Sequence, residues 1–91
     1  QIARNVNYRD RFSDLTLERA INFSDSEFRQ FFSGTTVKRL GSIRFLRNVI
    51  YAMGNSGNKE YIVSLERFLN YPVDYISEAA SWSISELKKN E

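Results

Sequence analysis

Cysteine and histidine are both absent from the 91 residues, and proline, methionine and tryptophan occur once each. Without cysteine the chain has no disulfide, no thiolate nucleophile and no thiolate ligand for zinc or an iron–sulfur cluster. Without histidine it lacks the commonest general base and the imidazole metal ligand. Serines are plentiful, yet no conventional triad can form, and no lysine stands at a spacing that suggests a substitute base. Carboxylate pairs such as Asp14 and Glu18 fall at i, i+4 on a surface helix, where solvated charge accounts for them. Autonomous catalysis is not expected of these residues. No segment reads as a signal peptide or a membrane span. The lack of cysteine is compatible with a cytoplasmic home, and the opening on Gln1 rather than Met is expected of a piece of a longer parent.

What is present is enough for a core. Hydrophobic residues make up 42% of the chain and aromatic residues 14%, so a small packed domain is expected rather than a disordered tail. The net charge of +2 says little, but its distribution is uneven. Residues 28–59 carry Arg29, Lys38, Arg39, Arg44, Arg47 and Lys59 with no acid, a net of +6 between flanks of −1 and −3. Such a zone attracts an anionic partner.

Residues 1–14 are polar and without a clean period, and read as a linker or arm; the domain proper spans 15–91. Thr16 opens a short helix with Leu17, Ala20 and Ile21 on one face. Ser24-Asp25-Ser26-Glu27 has the form of a capping box, and the helix it starts aligns Phe28, Phe31 and Phe32 and ends near Gly34. Thr35 or Thr36 caps a brief turn that carries Lys38 and Arg39. A central helix is predicted from Ser42 to about Met53, with Phe45, Leu46, Val49, Ile50 and Met53 as its apolar face. Gly54 and Gly57 are expected to end it, as residues tolerant of positive φ. Asn58 caps the next helix, where Tyr61, Ile62, Leu65, Phe68 and Leu69 recur at helical spacing. Pro72 suits the first turn of the last helix, lined by Val73, Ile76, Ala80, Ile84 and Leu87. Nothing alternates as a strand does, so the domain is all-α.

A weak internal repeat lays FLRNVIYAMG (45–54) over ISEAASWSIS (76–85). Val49 then falls on Ala80, Tyr51 on Trp82 and Met53 on Ile84. Helix pairs at such a period characterise stacked helical-hairpin solenoids, with the phenylalanine-rich first helices as a cap.

The central helix also holds the candidate site. Arg44, Arg47, Asn48, Tyr51 and Asn55 lie on one side at 100° per residue, opposite the apolar face. Lys38 and Arg39 extend this patch upstream. Arginine and lysine neutralise phosphates, asparagine both donates and accepts, and tyrosine stacks on bases. The alternative is a solvated basic face in which Arg47 pairs with an acid such as Glu78 and Tyr51 simply packs. Tyr75 and Trp82 share a stripe with Ala79, and core packing is their expected role. The turn GNSG has the outline of a phosphate loop or of the GXXG loop of KH domains. However, it follows a helix where those loops follow a strand or sit in a β-containing fold, so helix termination is the favoured reading.

The run KRLGSIRFLRNVIYAMGNSG, followed later by AASWSI, resembles the C-terminal HEAT-like domain of bacterial epoxyqueuosine reductases. The shared residues are Arg39, Gly41, Arg44, Arg47, Asn48, Ala52, Gly54, Asn55, Ser56, Gly57, Ala80 and Trp82, and the resemblance spans about Leu15 to Leu87. It departs from the family at Ala79, where the family usually has histidine, and at Asp74 and Glu78, which make the start of the last helix acidic. The resemblance implies a short HEAT-like helical-hairpin stack of about five helices. It also implies a parent oxidoreductase that reduces epoxyqueuosine to queuosine at the tRNA wobble position, using cobalamin and two [4Fe–4S] clusters in upstream domains. This stretch would be a non-catalytic part that grips the tRNA anticodon stem-loop through Lys38, Arg39, Arg44, Arg47, Asn48, Tyr51 and Asn55. Asn48 and Asn55 have a second expected role, pinning the helix end and its turn. The other function left open is a docking module for the upstream domains or a partner subunit.

Overall fold

The computed structural model describes residues 16–34, 38 and 41–89. Five helices and no strand occur among them: α1 (Leu17–Ile21), α2 (Asp25–Phe31), α3 (Ser42–Asn55), α4 (Tyr61–Glu66) and α5 (Asp74–Lys88). They form the small all-α stack expected from the sequence. The expected arm at 1–14, the caps at Thr35 or Thr36 and the side chain of Arg39 lie outside the described residues.

The first two helices start where the sequence places their caps. The Thr16 hydroxyl accepts from the Arg19 amide at 3.1 Å. At α2 the box closes both ways, with Glu27 N–H donating to Ser24 Oγ at 3.1 Å and Ser24 N–H donating to Glu27 Oε1 at 3.0 Å. These bonds hold the Glu27 carboxyl below its usual 4.5, chiefly through the Ser24 backbone amide. Helices of five and seven residues are too short to persist alone. Their stability comes from the rings they bury. Phe28 and Phe32 are buried, and with Phe23, Phe31 and Phe45 of α3 they form a cluster with centroid separations of 4.9–6.4 Å. Edge and tilted contacts dominate it, the geometry the ring quadrupole favours. Arg19 lies over Phe31 at 5.3 Å. Polar ties fasten this cap to the rest: Ser42 Oγ donates to Asp25 Oδ1 at 2.7 Å, Tyr61 OH donates to Glu18 Oε1 at 3.0 Å, and Arg67 donates to Ile21 O and Asn22 Oδ1 at the end of α1. Burial, and then that acceptance by Glu18, keep the Tyr61 phenol protonated beyond its usual value of 10.0.

The main interface is between α3 and α5. Arg47 meets Tyr75, Tyr51 meets Trp82, and Gly54 meets Ser83, so contacts advance in the same direction along both helices. The two helices therefore run parallel, as corresponding helices of neighbouring repeats do, and residues 56–73 with α4 carry the chain back. The internal repeat is visible in burial too. Val49 and Ala80 are buried, Met53 and Ile84 are buried, and Tyr51 and Trp82 are 37% and 41% exposed.

Four expectations change. Gly54 does not end α3, which continues to Asn55. It is buried in a regular helical turn, and a Cβ built there would stand 2.5 Å from Ser83 Oγ, 2.6 Å from Ser83 Cβ and 2.8 Å from Ser83 Cα. Glycine is present because α5 touches the α3 backbone. The turn itself uses Gly57, at φ +76°, together with Ser56 Oγ, which donates to Met53 O at 2.6 Å and accepts from Asn58 N–H at 3.1 Å. Pro72 lies before α5 rather than in its first turn, since Val73 is the N-cap. Leu69, expected on the core face of a helix, lies in the turn after α4 and is 41% exposed. Asn58 is not the N-cap of α4, which is Glu60; it stands two residues earlier, its Oδ1 accepting from Glu60 N–H at 3.0 Å.

Ser83, fully buried, donates its hydroxyl to Ile50 O at 2.8 Å, across the α3–α5 contact. That carbonyl has a second lone pair beyond its helical partner, so the bond completes it without breaking α3.

Gly54→Ala is expected to destabilise the fold by about 2 kcal/mol, overpacking net of a helix-propensity gain of about 1 kcal/mol. Adding Ser83→Ala should not restore stability, because Ser83 Cβ and Cα remain in the way. Urea denaturation followed by circular dichroism checks both. The Glu27 contribution is present above pH 4.5 and is lost as pH falls through the lowered folded value. Between pH 7 and pH 3 the urea midpoint of Glu27→Gln should therefore fall less steeply than that of wild type.

Candidate nucleic-acid interface

The side of α3 turned away from the core presents Arg44, Asn48, Tyr51 and Asn55 to solvent, with Arg47 half-buried among them. This follows from the period: Phe45, Val49, Ile50 and Met53 commit one half of the helix to the core, which leaves the other half for these residues. Lys38 is exposed one turn ahead of α3, its carbonyl accepting from Gly41 N–H at 3.3 Å. Gly41 sits at φ +88°, a left-handed conformation that delivers the chain into α3 and that side chains disfavour.

Among the described residues, ion pairs join Arg29 to Asp25 and Lys89 to Glu86, and none involves Lys38, Arg44 or Arg47. The alternative pairing of Arg47 with Glu78 does not form. Instead the Arg47 guanidinium lies over the Tyr75 ring, 5.7 Å from its centroid. The planar guanidinium suits an aromatic face and keeps its N–H donors free at the edges.

Tyr51 does pack, but at the surface. Its ring meets Trp82 at a centroid distance of 5.4 Å and an angle of 63°. Tyr75 and Trp82, expected in the core, are 40% and 41% exposed. Of the three residues on that stripe only the small Ala79 is buried, and it brings α5 close enough for the two larger rings to overhang the seam beside α3. These are the site residues the single-helix reading missed. The signal that finds them is the internal repeat, which places Trp82 where Tyr51 stands.

Asn48 and Asn55 do not pin the helix end. Among the described residues neither side chain makes a hydrogen bond, and Ser56 and Asn58 do that work. Both asparagines are therefore available at the surface. A hollow lined by Ile21, Asn22, Arg67, Phe68 and Tyr71 offers less, because Arg67 already donates to Ile21 O at 3.3 Å and to Asn22 Oδ1 at 2.5 Å. Among the described residues no group of three or more Asp or Glu could hold a metal ion.

Among the described residues the arrangement is thus a two-helix face of cations without an acidic partner, exposed amides and half-exposed rings. No protein-family model, curated protein or solved structure matches the chain.

Arg44 and Arg47 should separate in stability assays. Arg44→Ala is expected to leave the unfolding free energy within about 0.5 kcal/mol of wild type. Arg47→Ala should lower it by about 0.5–1 kcal/mol through loss of the contact with Tyr75. Thermal denaturation of the two variants side by side tests this.

Proposed function

We propose that this chain is a non-catalytic RNA-recognition domain, gripping a tRNA anticodon stem-loop on behalf of an epoxyqueuosine reductase. The single observation that carries the RNA reading is the pair Arg44 and Arg47, without an acidic partner among the described residues, beside half-exposed aromatic rings on one face. Phosphates take the guanidinium N–H groups, and counterion release supplies affinity. The reductase assignment rests on the sequence resemblance. In that reading the parent acts in the cytoplasm on the wobble nucleotide with cobalamin and two [4Fe–4S] clusters. This chain has no cysteine or histidine to ligate a cluster, so its part is to position RNA. No helix among the described residues is long and apolar enough to cross a membrane.

A second reading, docking against an upstream domain or a partner subunit, draws on the same exposed rings and on Val63, which is 75% exposed on α4. Salt dependence separates the two, because an apolar contact lacks the counterion term.

The test is a salt titration of binding to a queuosine-type anticodon stem-loop, comparing wild type with folded Arg44→Ala/Arg47→Ala. Wild type should bind weakly and steeply with salt. The double variant should lose affinity, with a log K against log salt slope shallower by about 1.5, as two lost phosphate contacts require. Unchanged affinity and slope would remove these arginines from the interface and favour docking.

A further inference from the structure

Five large hydrophobic side chains are exposed among the described residues, and three of them, Tyr51, Tyr75 and Trp82, lie along the α3–α5 seam. Rings left in water together need a reason, since the same residues could have been polar at no loss to the core. Tyr51 and Trp82 meet nearly edge to face, which occupies one face of one ring and an edge of the other. Each ring retains π surface for a further planar group. Tyr75 holds the Arg47 guanidinium, itself a planar cation.

Charge sorts this face into two tracks. Among the described residues Arg44 and Arg47 on α3 have no acidic partner, whereas α5 bears the exposed acids Asp74 and Glu78 on either side of Tyr75. Glu86, beside Trp82, is neutralised by Lys89 at 2.7 Å. A phosphate backbone is therefore drawn to the α3 track and repelled from the α5 track. What α5 offers is ring surface, which suits uncharged bases.

We propose that Tyr51, Tyr75 and Trp82 form a stacking platform for unpaired nucleobases, with Arg44 and Arg47 taking the adjoining phosphates, so that this face selects single-stranded or loop RNA over duplex. The proposal rests on the RNA reading above and adds to it which part of an RNA is held. In a duplex the bases are stacked on each other and closed to side chains, so only phosphates would be engaged. In a loop the bases are free to meet rings, and each base–aromatic stack adds to affinity without requiring a particular sequence.

Trp82 is the chain's one tryptophan, so its emission reports on the platform directly. The experiment titrates the 91-residue chain with an eight-nucleotide oligouridylate and with a fully paired RNA duplex of the same length. The single strand should quench Trp82 saturably, and the duplex should not. Because the variants remove the fluorophore, their affinities are read from the anisotropy of end-labelled RNA: Trp82→Ala should weaken single-strand binding by about 5- to 150-fold, the range for one lost stack, and leave duplex binding and its salt slope unchanged. Trp82→Phe, which keeps a ring, should restore most of the loss and guards against misreading a folding defect. Glu78→Gln should tighten both RNAs several-fold by removing a repelling charge.

Equal quenching by duplex and single strand would overturn the platform. So would wild-type single-strand affinity in folded Trp82→Ala. Either result leaves the phosphate reading standing if Arg44→Ala/Arg47→Ala still loses affinity for both RNAs. Absence of binding to any RNA would overturn both.

Discussion

The close approach of α3 and α5 at Gly54 and Ser83 is the constraint on which the rest of the molecule depends. With no side chain at position 54, the α5 backbone settles against α3, and Ser83 closes the contact by donating to Ile50 O. Ala79 and Ala80, both fully buried, keep the same seam narrow along α5. Only at this separation can Tyr51 touch Trp82 and the Arg47 guanidinium reach the Tyr75 ring. Small residues at the crossing thus do two things: they set the interhelical distance, and they place large side chains from two helices on a common surface. Well-packed interiors transmit such steric facts faithfully.

Electrostatics supports the division between scaffold and surface. The acids near the two ends of the described fold are largely occupied in holding the structure: Glu27 in its capping box, Asp25 with Ser42 and Arg29, Glu18 with Tyr61, Glu86 with Lys89. The cations Lys38, Arg44 and Arg47 have no such employment among the described residues. Exposed ion pairs contribute little to stability, so pairing these arginines with acids would have added little to the fold while removing the charge from use. Stacking Arg47 on a ring instead restricts its motion and leaves its full charge facing outward.

Much of the fold was legible in the sequence because it is written locally. Thr16 and the Ser24–Glu27 box mark helix starts through bonds three residues long, and the Phe45–Val49–Ile50–Met53 spacing identifies the core half of α3 without any partner in view. The outward half carrying Arg44, Asn48, Tyr51 and Asn55 followed by subtraction. What was not legible depends on the neighbour. Glycine near a helix end reads equally as a terminator or as a space for another helix, and only the position of Ser83 distinguishes them at Gly54. Tyr75 and Trp82 share a stripe with Ala79, and spacing alone assigned all three to the core. The ring size decides otherwise: at this separation an alanine fits the seam and a tyrosine or tryptophan must overhang it. The Arg47–Tyr75 contact, between residues 28 apart in the chain, has no local sign at all.

The phenylalanine cluster explains how the domain tolerates three half-exposed rings. Burying apolar area is worth roughly 25 cal/mol per Å², so each ring left partly in water forfeits some of what it would contribute inside. In a chain of 91 residues that is a real loss, because small domains have little stability in reserve. Phe28, Phe32 and Phe45 are buried at the α1–α2 end, and Ile50, Met53, Leu65, Ile76 and Leu87 are fully buried beneath the seam. Stability is thereby concentrated where no partner needs to reach. The seam can then keep its rings out of the core and on helices stiff enough to hold them in register, the condition under which a binding surface loses little entropy when it is used.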